Sequence, residues 1–245
     1  MKILCTICMR GGSKGVINKH LKKINGKPLL WYTINQAIKS KLFNKIIVST
    51  DSNLISNSSI KYGVDKVFSR KKNQALDNTP KLPVIRDTFI KAELYYKTKF
   101  DILIDLDATS PLRNVKDIVN SYKQFMREKS ENLITASISK KNPYYNVIEF
   151  KKDKLSVVKK LNRIPDSRQQ TPDTFDMNAS IYIWNRKAIL KSVISDNKDV
   201  FLKKTSLYLM PEERSIDIDS PLDFKIVKYL IERNNNAKKS NTKTI

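Results

Sequence analysis

The chain has 245 residues, with 47 Lys and Arg against 24 Asp and Glu, a formal charge of +23 and 40% hydrophobic residues. These values are typical of one α/β-sized domain with a large core, and they exclude disordered and collagen-like proteins. No apolar run reaches the roughly 18 residues of a membrane span, and Met1 leads directly into a strand-like segment without a signal-peptide pattern. We therefore predict a cytoplasmic protein.

The positive charge by itself suggests nucleic-acid binding, but its distribution argues against a dedicated basic face. Lysine accounts for 37 of the 47 basic residues, asparagine is abundant at 21, and the lysines are scattered along the chain. Both amino acids have A-rich codons, so base composition explains the excess more simply. Nonspecific binding to polyanions at low salt stays an alternative, and no specific nucleic acid is expected as a partner.

The two cysteines, Cys5 and Cys8, form a C-x-x-C pair inside an apolar strand pattern. Residues three apart in a strand point to opposite faces of the sheet, so two buried thiols are favoured over a redox pair. One such pair also cannot complete a four-ligand zinc site. The only histidine is His20, which excludes His-dependent hydrolase triads.

Apolar, β-branched runs alternate with segments of helical period over the first 140 residues. This alternation predicts right-handed βαβ units, a mostly parallel sheet, and ligand binding at the carboxyl ends of the strands. The predicted strands are 2–9, 45–50, 65–69, 100–106 and 132–138, and the predicted helices are 28–41, 52–62, 81–97 and 114–129.

The pattern changes over 139–177, where two short strand-like pieces precede a polar stretch. We predict an inserted lid or dimerisation arm there, within a domain that spans 1–233. The short pieces are 144–150 and 155–160, and the later elements are a strand at 179–184, a helix near 187–194, a strand at 206–210 and a helix over 220–233. Ser220 is predicted to cap the last helix. Residues 234–245 have no apolar period and are predicted to form a disordered tail.

A glycine-rich loop from Arg10 to Gly15 follows the first predicted strand and holds three of the five glycines. Such a loop lets backbone N–H groups approach phosphate oxygens, while Arg10 and Lys14 supply positive charge. The loop matches neither the Walker pattern nor the dinucleotide fingerprint, and a tight turn with exposed basic residues is the alternative. Three further basic residues nearby favour an anion site: Lys19, Lys22 and Lys23.

Two pairs of acidic residues are candidates for a metal site. In an extended segment Asp217 and Asp219 project to the same face, and paired carboxylates suit Mg²⁺ or Mn²⁺. Solvated acids before a helix are the alternative. Asp105 and Asp107 end another predicted strand, and spacing alone does not decide which pair holds a metal.

These elements, in this order, resemble the cytidylyltransferases that make CMP-sialic acids, from Ile3 to about Lys228. Six segments in family order carry the resemblance. They are the glycine-rich loop, Gly26-Lys27-Pro28-Leu29, Val48-Ser49-Thr50-Asp51, Thr109-Ser110-Pro111-Leu112-Arg113, Arg168-Gln169, and the run from Pro211 to Asp219.

The resemblance implies a three-layer, Rossmann-like α/β fold and a homodimer in which 139–177 is a swapped dimerisation arm. It also implies transfer from CTP to a nine-carbon 3-deoxy-2-keto acid, with Mg²⁺ or Mn²⁺, giving the CMP-sugar and pyrophosphate. The implied nucleotide contacts are Arg10, Gly11, Gly12, Ser13, Lys14, Lys19, His20, Arg70, Asn78, Thr79 and Asp107. The implied sugar contacts are Arg168, Gln169 and Asn178, and the implied metal ligands are Asp217 and Asp219. Lys14, Arg168 and Asp219 are the implied catalytic residues.

Departures from the family pattern bear on the substrate. His20 stands where the family usually has Asn, Asp107 stands where sialic-acid enzymes typically have Gln, and Asn78-Thr79 stands where Asp-Thr is usual. Asp107 and its neighbours look more like the branch that activates legionaminic acid, a bacterial sialic-acid analogue. The alternatives are a synthase of CMP-N-acetylneuraminate, a more distant enzyme for the eight-carbon acid Kdo, and an inactive homologue that only binds.

Overall fold

The computed structural model describes residues 1–12, 15–71, 74–76, 79–194 and 200–241, with the backbone alone for 192–194 and 235–241. Its strands are β1 Ile3–Cys8, β2 Lys23–Ile24, β3 Lys27–Pro28, β4 Lys45–Thr50, β5 Lys66–Ser69, β6 Ile102–Leu106, β7 Asn132–Ile138, β8 Ile148–Lys151, β9 Lys154–Val157, β10 Phe175–Asn185 and β11 Thr205–Leu209. Its α-helices are α1 Leu29–Ser40, α2 Asn53–Lys61, α3 Lys81–Tyr96, α4 Val115–Glu128, α5 Arg186–Ile194 and α6 Pro221–Asn241.

The predicted α/β fold with a mostly parallel sheet is confirmed. Seven strands form one sheet in the order β11-β7-β10-β6-β1-β4-β5. All neighbours are parallel except β10, which runs antiparallel to both β6 and β7. The chain moves outward from β1 to β5 and then continues at β6, on the other side of β1. The strand order therefore reverses at β1, and the carboxyl ends of β1 and β6 flank the crevice where such sheets bind ligands.

Helices cover both faces of the sheet and create two apolar cores. One core joins the sheet to α1, α2 and α4, and the other joins it to α3 and α5. Cys5 lies in the first core and Cys8 packs against the second, so the prediction that the two thiols point to opposite faces is confirmed. Both are free thiols, and burial raises the pKa of Cys8 to about 12.

The predicted insertion lies between β7 and β10. It contains the β8–β9 hairpin, whose β8 residues are all exposed, and a short 3-10 helix at Arg168–Gln170. The hairpin strands are shorter than the predicted pieces because 142–147 form a turn, in which the Asn142 carboxamide accepts a hydrogen bond from the backbone of Tyr144. We call residues 139–174 the arm.

The last helix differs from its prediction at one end. It begins as expected, because Ser220 and Asp223 exchange side-chain-to-backbone hydrogen bonds in a capping box. It continues to Asn241, however, so the prediction of a disordered tail from residue 234 is wrong for 234–241. The extension contains neither Gly nor Pro, and lengthening an existing helix costs far less than nucleating one. Within the described residues, no helix combines the length and apolarity needed to cross a membrane.

A buried arginine ties the layers together beside the crevice. The Arg113 side chain is 1% exposed and donates hydrogen bonds to the carbonyl oxygens of Asp107 and Ser180, at 3.2 and 2.5 Å. It also donates to Thr33 and Gln36 of α1, at 3.0 and 3.1 Å. Burial lowers the pKa of Arg113 to about 10, so the guanidinium is still charged at neutral pH. This residue joins α1, β10 and the loop after β6.

We predict that Arg113→Met lowers the free energy of unfolding by about 3 kcal/mol or more, because five acceptors inside the protein each lose one donor. Urea denaturation of the two proteins measures this difference. The matched control is Arg127→Met, since the Arg127 side chain is 76% exposed and contacts only Glu128 among the ion pairs of the described residues. If Arg113→Met and Arg127→Met lowered the free energy of unfolding equally, the anchoring role of Arg113 would be contradicted.

Candidate active site

A cavity of about 270 Å³ opens at the carboxyl ends of β1 and β6, in the crevice predicted from the topology. Most of the nucleotide contacts implied by the resemblance line it, together with both predicted metal ligands. The lining residues are Cys8, Arg10, Gly15, Lys19, His20, Arg70, Gln74, Leu76, Thr79, Lys81, Val84, Asp107, Thr109, Asp217 and Asp219. The predicted contacts Ser13, Lys14 and Asn78 lie outside the described residues.

The glycine-rich loop is held by close backbone approaches on both sides. The Gly11 amide donates a hydrogen bond to Asp51 at 2.8 Å, which explains the acid at the end of β4. A Cβ on Gly15 would lie 2.0 Å from the carbonyl oxygen of Asp219, so a larger residue cannot occupy that position without moving the loop. At Gly12 nothing lies within 4 Å of such a Cβ. Gly15 therefore serves to bring the loop against the predicted metal segment.

At the end of β6, Lys81 forms a cluster with the second acid pair. Its Nζ lies 2.9 Å from Asp105 and 2.8 Å from Asp107. Thr109 donates to the other Asp107 oxygen from its backbone amide and its hydroxyl, at 3.0 and 2.7 Å. Asp107, predicted as a nucleotide contact, therefore lines the cavity with both carboxylate oxygens already engaged.

Charge pairing keeps Lys81 and Asp107 ionised. Burial raises the pKa of Asp107, but Lys81 and the Thr109 donors lower it by more, so the net shift is downward. Burial likewise lowers the pKa of Lys81, and the carboxylates of Asp105 and Asp107 outweigh that effect. Sequence reasoning missed Lys81. The available signal was a lysine as the first residue of a helix at the ligand-binding edge of the sheet, which is an unfavourable place for a cation unless acids face it.

The segment between β11 and α6 carries Asp217 and Asp219. The Ile218 side chain is fully buried and its amide donates to the Thr109 carbonyl at 3.0 Å, so the acids on either side reach the cavity. Lys19 donates to the Ile218 carbonyl at 2.5 Å and lies 3.3 Å from Asp219. The prediction that these two acids face one site is confirmed.

A 3-10 turn at Glu212–Arg214, just before Asp217, anchors this segment to the body of the protein. Arg214 binds the buried Asp117 with two hydrogen bonds of 3.0 Å, and Asp117 itself belongs to the capping box of α4. A bidentate pair of this kind restrains both position and orientation. The acids that follow in sequence are therefore presented by a fixed support.

The residues present fit a hard divalent cation at Asp217 and Asp219. The Oδ1 atom of Asp217 is buried without a hydrogen-bond partner. Burial and the nearby Asp107 raise the pKa of Asp217 to about 6, because together they outweigh the opposing effects of Thr109 and Lys19. No three His, Cys, Asp or Glu side chains converge within the described part of the chain. Two carboxylates still suffice for Mg²⁺, which takes its other ligands from water and phosphates.

His20 and Arg70 form another part of the cavity. The His20 ring is 5% exposed, its Nδ1 has no hydrogen-bond partner, and burial lowers its pKa to about 4. It is therefore neutral near pH 7, with one nitrogen available to a ligand. Arg70 donates to the Ser49 carbonyl at 3.2 Å, and its buried Nε has no partner.

The three predicted sugar contacts do not line this cavity. Arg168 and Gln169 lie on the arm, are exposed, and Arg168 donates to the Ser139 carbonyl. Asn178 is buried, and all its amide capacity is used by the protein. Its partners are Thr135, Ser180, Ser215 and Met210. Asn178 thus bonds to neighbouring protein groups, and its direct contact with the sugar stays a prediction.

The pKa of Asp217 makes stability depend on pH. Between about pH 4 and pH 6 the folded protein retains a proton that the unfolded chain has lost, so stability falls as the pH rises through this range. We predict that Asp217→Asn in EDTA is more stable than the natural protein above pH 6, by up to about 3 kcal/mol. Near pH 4 the two proteins should be equal. Urea unfolding at several pH values measures this, and a constant difference from pH 4 to pH 7.5 would contradict it.

The cavity places a glycine-rich loop, several cations and the acids Asp217 and Asp219 where an α/β sheet binds ligands. The model of the family described as Cytidylyltransferase matches residues 4–241 of this chain. The chain belongs to the cytidylyltransferase family. This match confirms both the predicted family and the prediction that the protein is a cytidylyltransferase enzyme.

Curated relatives cover the cytidylyltransferase almost completely. The chain is 47% identical over 234 residues to "Post-translational flagellin modification protein B" of Campylobacter coli, covering 96% of this chain and 97% of the relative. It is equally similar, with the same coverage, to "CMP-N,N'-diacetyllegionaminic acid synthase" of Campylobacter jejuni. The solved structure of CMP:2-keto-3-deoxy-manno-octonic acid synthetase complexed with CTP matches with a TM-score of 0.66 at 14% identity, covering 96% of this chain and 100% of that chain. That likeness confirms the fold.

Proposed function

We propose that this cytidylyltransferase transfers the cytidylyl group of CTP to a nine-carbon 3-deoxy-2-keto sugar acid, with a legionaminic acid as the preferred acceptor. The observation that carries the proposal is the convergence of the glycine-rich loop and the Asp217–Asp219 segment on one cavity. A 47% identical relative bears the name of a CMP-legionaminic acid synthase, which supports the acceptor. We also propose that the enzyme acts in the cytoplasm.

The reaction needs positioning and charge neutralisation more than covalent chemistry. The anomeric hydroxyl oxygen forms a bond to the α-phosphorus, the bond from that phosphorus to the bridging oxygen breaks, and pyrophosphate leaves with the electron pair. Arg10, Lys19 and Arg70 line the cavity and supply positive charge for the phosphates. We propose the same role for Ser13 and Lys14, with Lys14 beside the departing pyrophosphate.

Asp217 and Asp219 are the proposed holders of Mg²⁺ or Mn²⁺, which when bound would offset the negative charge of the phosphates. Asp219 is the proposed acceptor of the hydroxyl proton, because its side chain is 80% exposed beside the cavity. His20 and Thr79 are proposed nucleotide contacts. The neutral His20 ring could hydrogen-bond to the base or ribose without adding charge.

The arm supports the proposal of a homodimer. Large apolar side chains are exposed on the arm and on the neighbouring start of β10, which is typical of an association surface. The exposed residues are Ile148, Phe150, Leu155, Ile164, Phe175 and Met177. Arg168 and Gln169 lie on the same arm and away from the cavity of their own chain. We therefore propose that they reach the sugar acid only in the assembled dimer, where Arg168 would bind its carboxylate.

A rate comparison tests the proposed reaction. With CTP and Mg²⁺ we predict pyrophosphate release with di-N-acetyl-legionaminate at least tenfold faster than with N-acetylneuraminate. Asp219→Asn should abolish release with both. Asp87→Asn, at the surface of α3 beside Lys91, is the matched control and should keep the natural rate. No release with any nonulosonic acid would overturn the proposed function, whereas faster release with N-acetylneuraminate would overturn the acceptor alone.

A charge on the arm tests the proposed dimer. Phe150 is 78% exposed, so Phe150→Glu should leave the fold intact, shift the sedimentation coefficient from dimer to monomer, and lower turnover at least tenfold. CTP binding, followed by calorimetry, should be unchanged, since the cavity lies in one chain. The control is Tyr229→Glu on α6, where the side chain is 61% exposed. A natural protein that sediments as a monomer would contradict the dimer.

A further inference from the structure

Lys81 has a position that neither the family resemblance nor the proposed reaction assigns. It is the first residue of α3, and its ammonium group meets two carboxylates at the end of β6. Asp105 is fully buried, and one of its oxygens accepts a hydrogen bond from Thr6 at 2.7 Å. Its other oxygen faces Lys81, and among the described residues it has no hydrogen-bond partner. Without Lys81 this oxygen would be a buried, uncompensated acceptor.

Asp105 and Asp107 are arranged like the ligands of a metal ion, but the cation between them is the ammonium group of Lys81. Two carboxylate oxygens, from residues two apart at the end of β6, lie at nearly equal distances from one positive centre, 2.9 and 2.8 Å. Hard divalent cations bind to such oxygen pairs. The ammonium also lies 5.1 Å from the centre of the Tyr182 ring, which favours a cation further.

We propose that Lys81 is a resident cation that takes the place of a divalent metal ion between Asp105 and Asp107. Because the lysine is tethered to α3, its charge is present in the nucleotide cavity before any ligand arrives. The side chain lines the cavity and is 31% exposed, so the charge is accessible to a polyphosphate. The single exchangeable metal is then confined to Asp217 and Asp219. Of these statements, only the one about the exchangeable metal rests on the proposed function.

Lys81 is a positioning residue in this scheme. It holds one oxygen of Asp107, Thr109 holds the other, and the Thr109 carbonyl accepts the hydrogen bond of Ile218. The resident cation is thus connected through three contacts to the segment that presents Asp217 and Asp219. A removable ion in its place would make the geometry of that segment depend on metal concentration.

Counting bound Mn²⁺ by electron paramagnetic resonance in the nucleotide-free protein tests the proposal. Lys81→Met should bind one Mn²⁺ per chain more than the natural protein, because two buried carboxylates then lack a counter-charge. Its melting temperature should also rise with Mg²⁺ by several degrees more than that of the natural protein. Lys81→Arg keeps the positive charge and should bind as many Mn²⁺ ions per chain as the natural protein. The matched control is Lys91→Met on the same helix, where the lysine is 30% exposed and pairs with Asp87 outside the cavity.

A second substitution locates the additional ion. Lys81→Met combined with Asp105→Asn should lose it, because one of its two carboxylates is gone. If Lys81→Met does not fold, Lys81→Gln provides the same count, since its amide supplies a donor but no charge. An unchanged Mn²⁺ number in the uncharged variants would overturn the proposal, as would an additional ion in Lys81→Arg. The count needs no turnover, so its failure is distinguishable from a failure of the proposed reaction.

Discussion

Burial of carboxylates at the carboxyl end of β6 is the constraint on which the rest of this site depends. A buried carboxylate is tolerated only where hydrogen-bond donors or opposite charges surround it. Asp105 and Asp107 obtain these partners from three separate places, namely Thr6 of β1, Lys81 of α3 and Thr109 of the following loop. The requirement for charge compensation therefore brings the strand, the helix and the loop to one point.

From that point the constraint extends to the rest of the cavity through backbone contacts. The Thr109 carbonyl receives the Ile218 amide, and the Asp219 carbonyl lies so close to Gly15 that no side chain fits between them. The glycine-rich loop, the end of β6 and the segment before α6 are thus fixed relative to one another, although 200 residues separate the first from the last. Arg113 likewise fixes α1 relative to β10, because it forms buried hydrogen bonds to both.

Much of this could be predicted from the sequence, because local patterns determine it. The alternation of strand and helix periods predicted the seven-stranded sheet and α1 to α5 to within a few residues, and Ser220 predicted the cap of α6. Contacts between distant segments could not be predicted. The position of Lys81 at the start of a helix hints at nearby acids but does not show which ones. No local pattern around Asn178 indicates that four protein groups take up all its hydrogen bonds. A family motif also does not separate residues that bond to other protein groups from residues that face the ligand. Arg113 and Asn178 both bond to other protein groups.

The sequence by itself determined the fold class, the family and several of the residues that line the cavity, because hydrophobic periodicity and motif order are written along the chain. The tertiary structure alone decided what each cavity residue can do. It paired Asp105 and Asp107 with Lys81, left one oxygen of Asp217 without a hydrogen-bond partner, and placed Arg168 and Gln169 outside the cavity. The physical reason is that charge compensation and burial depend on neighbours in space, and residues far apart in sequence supply them.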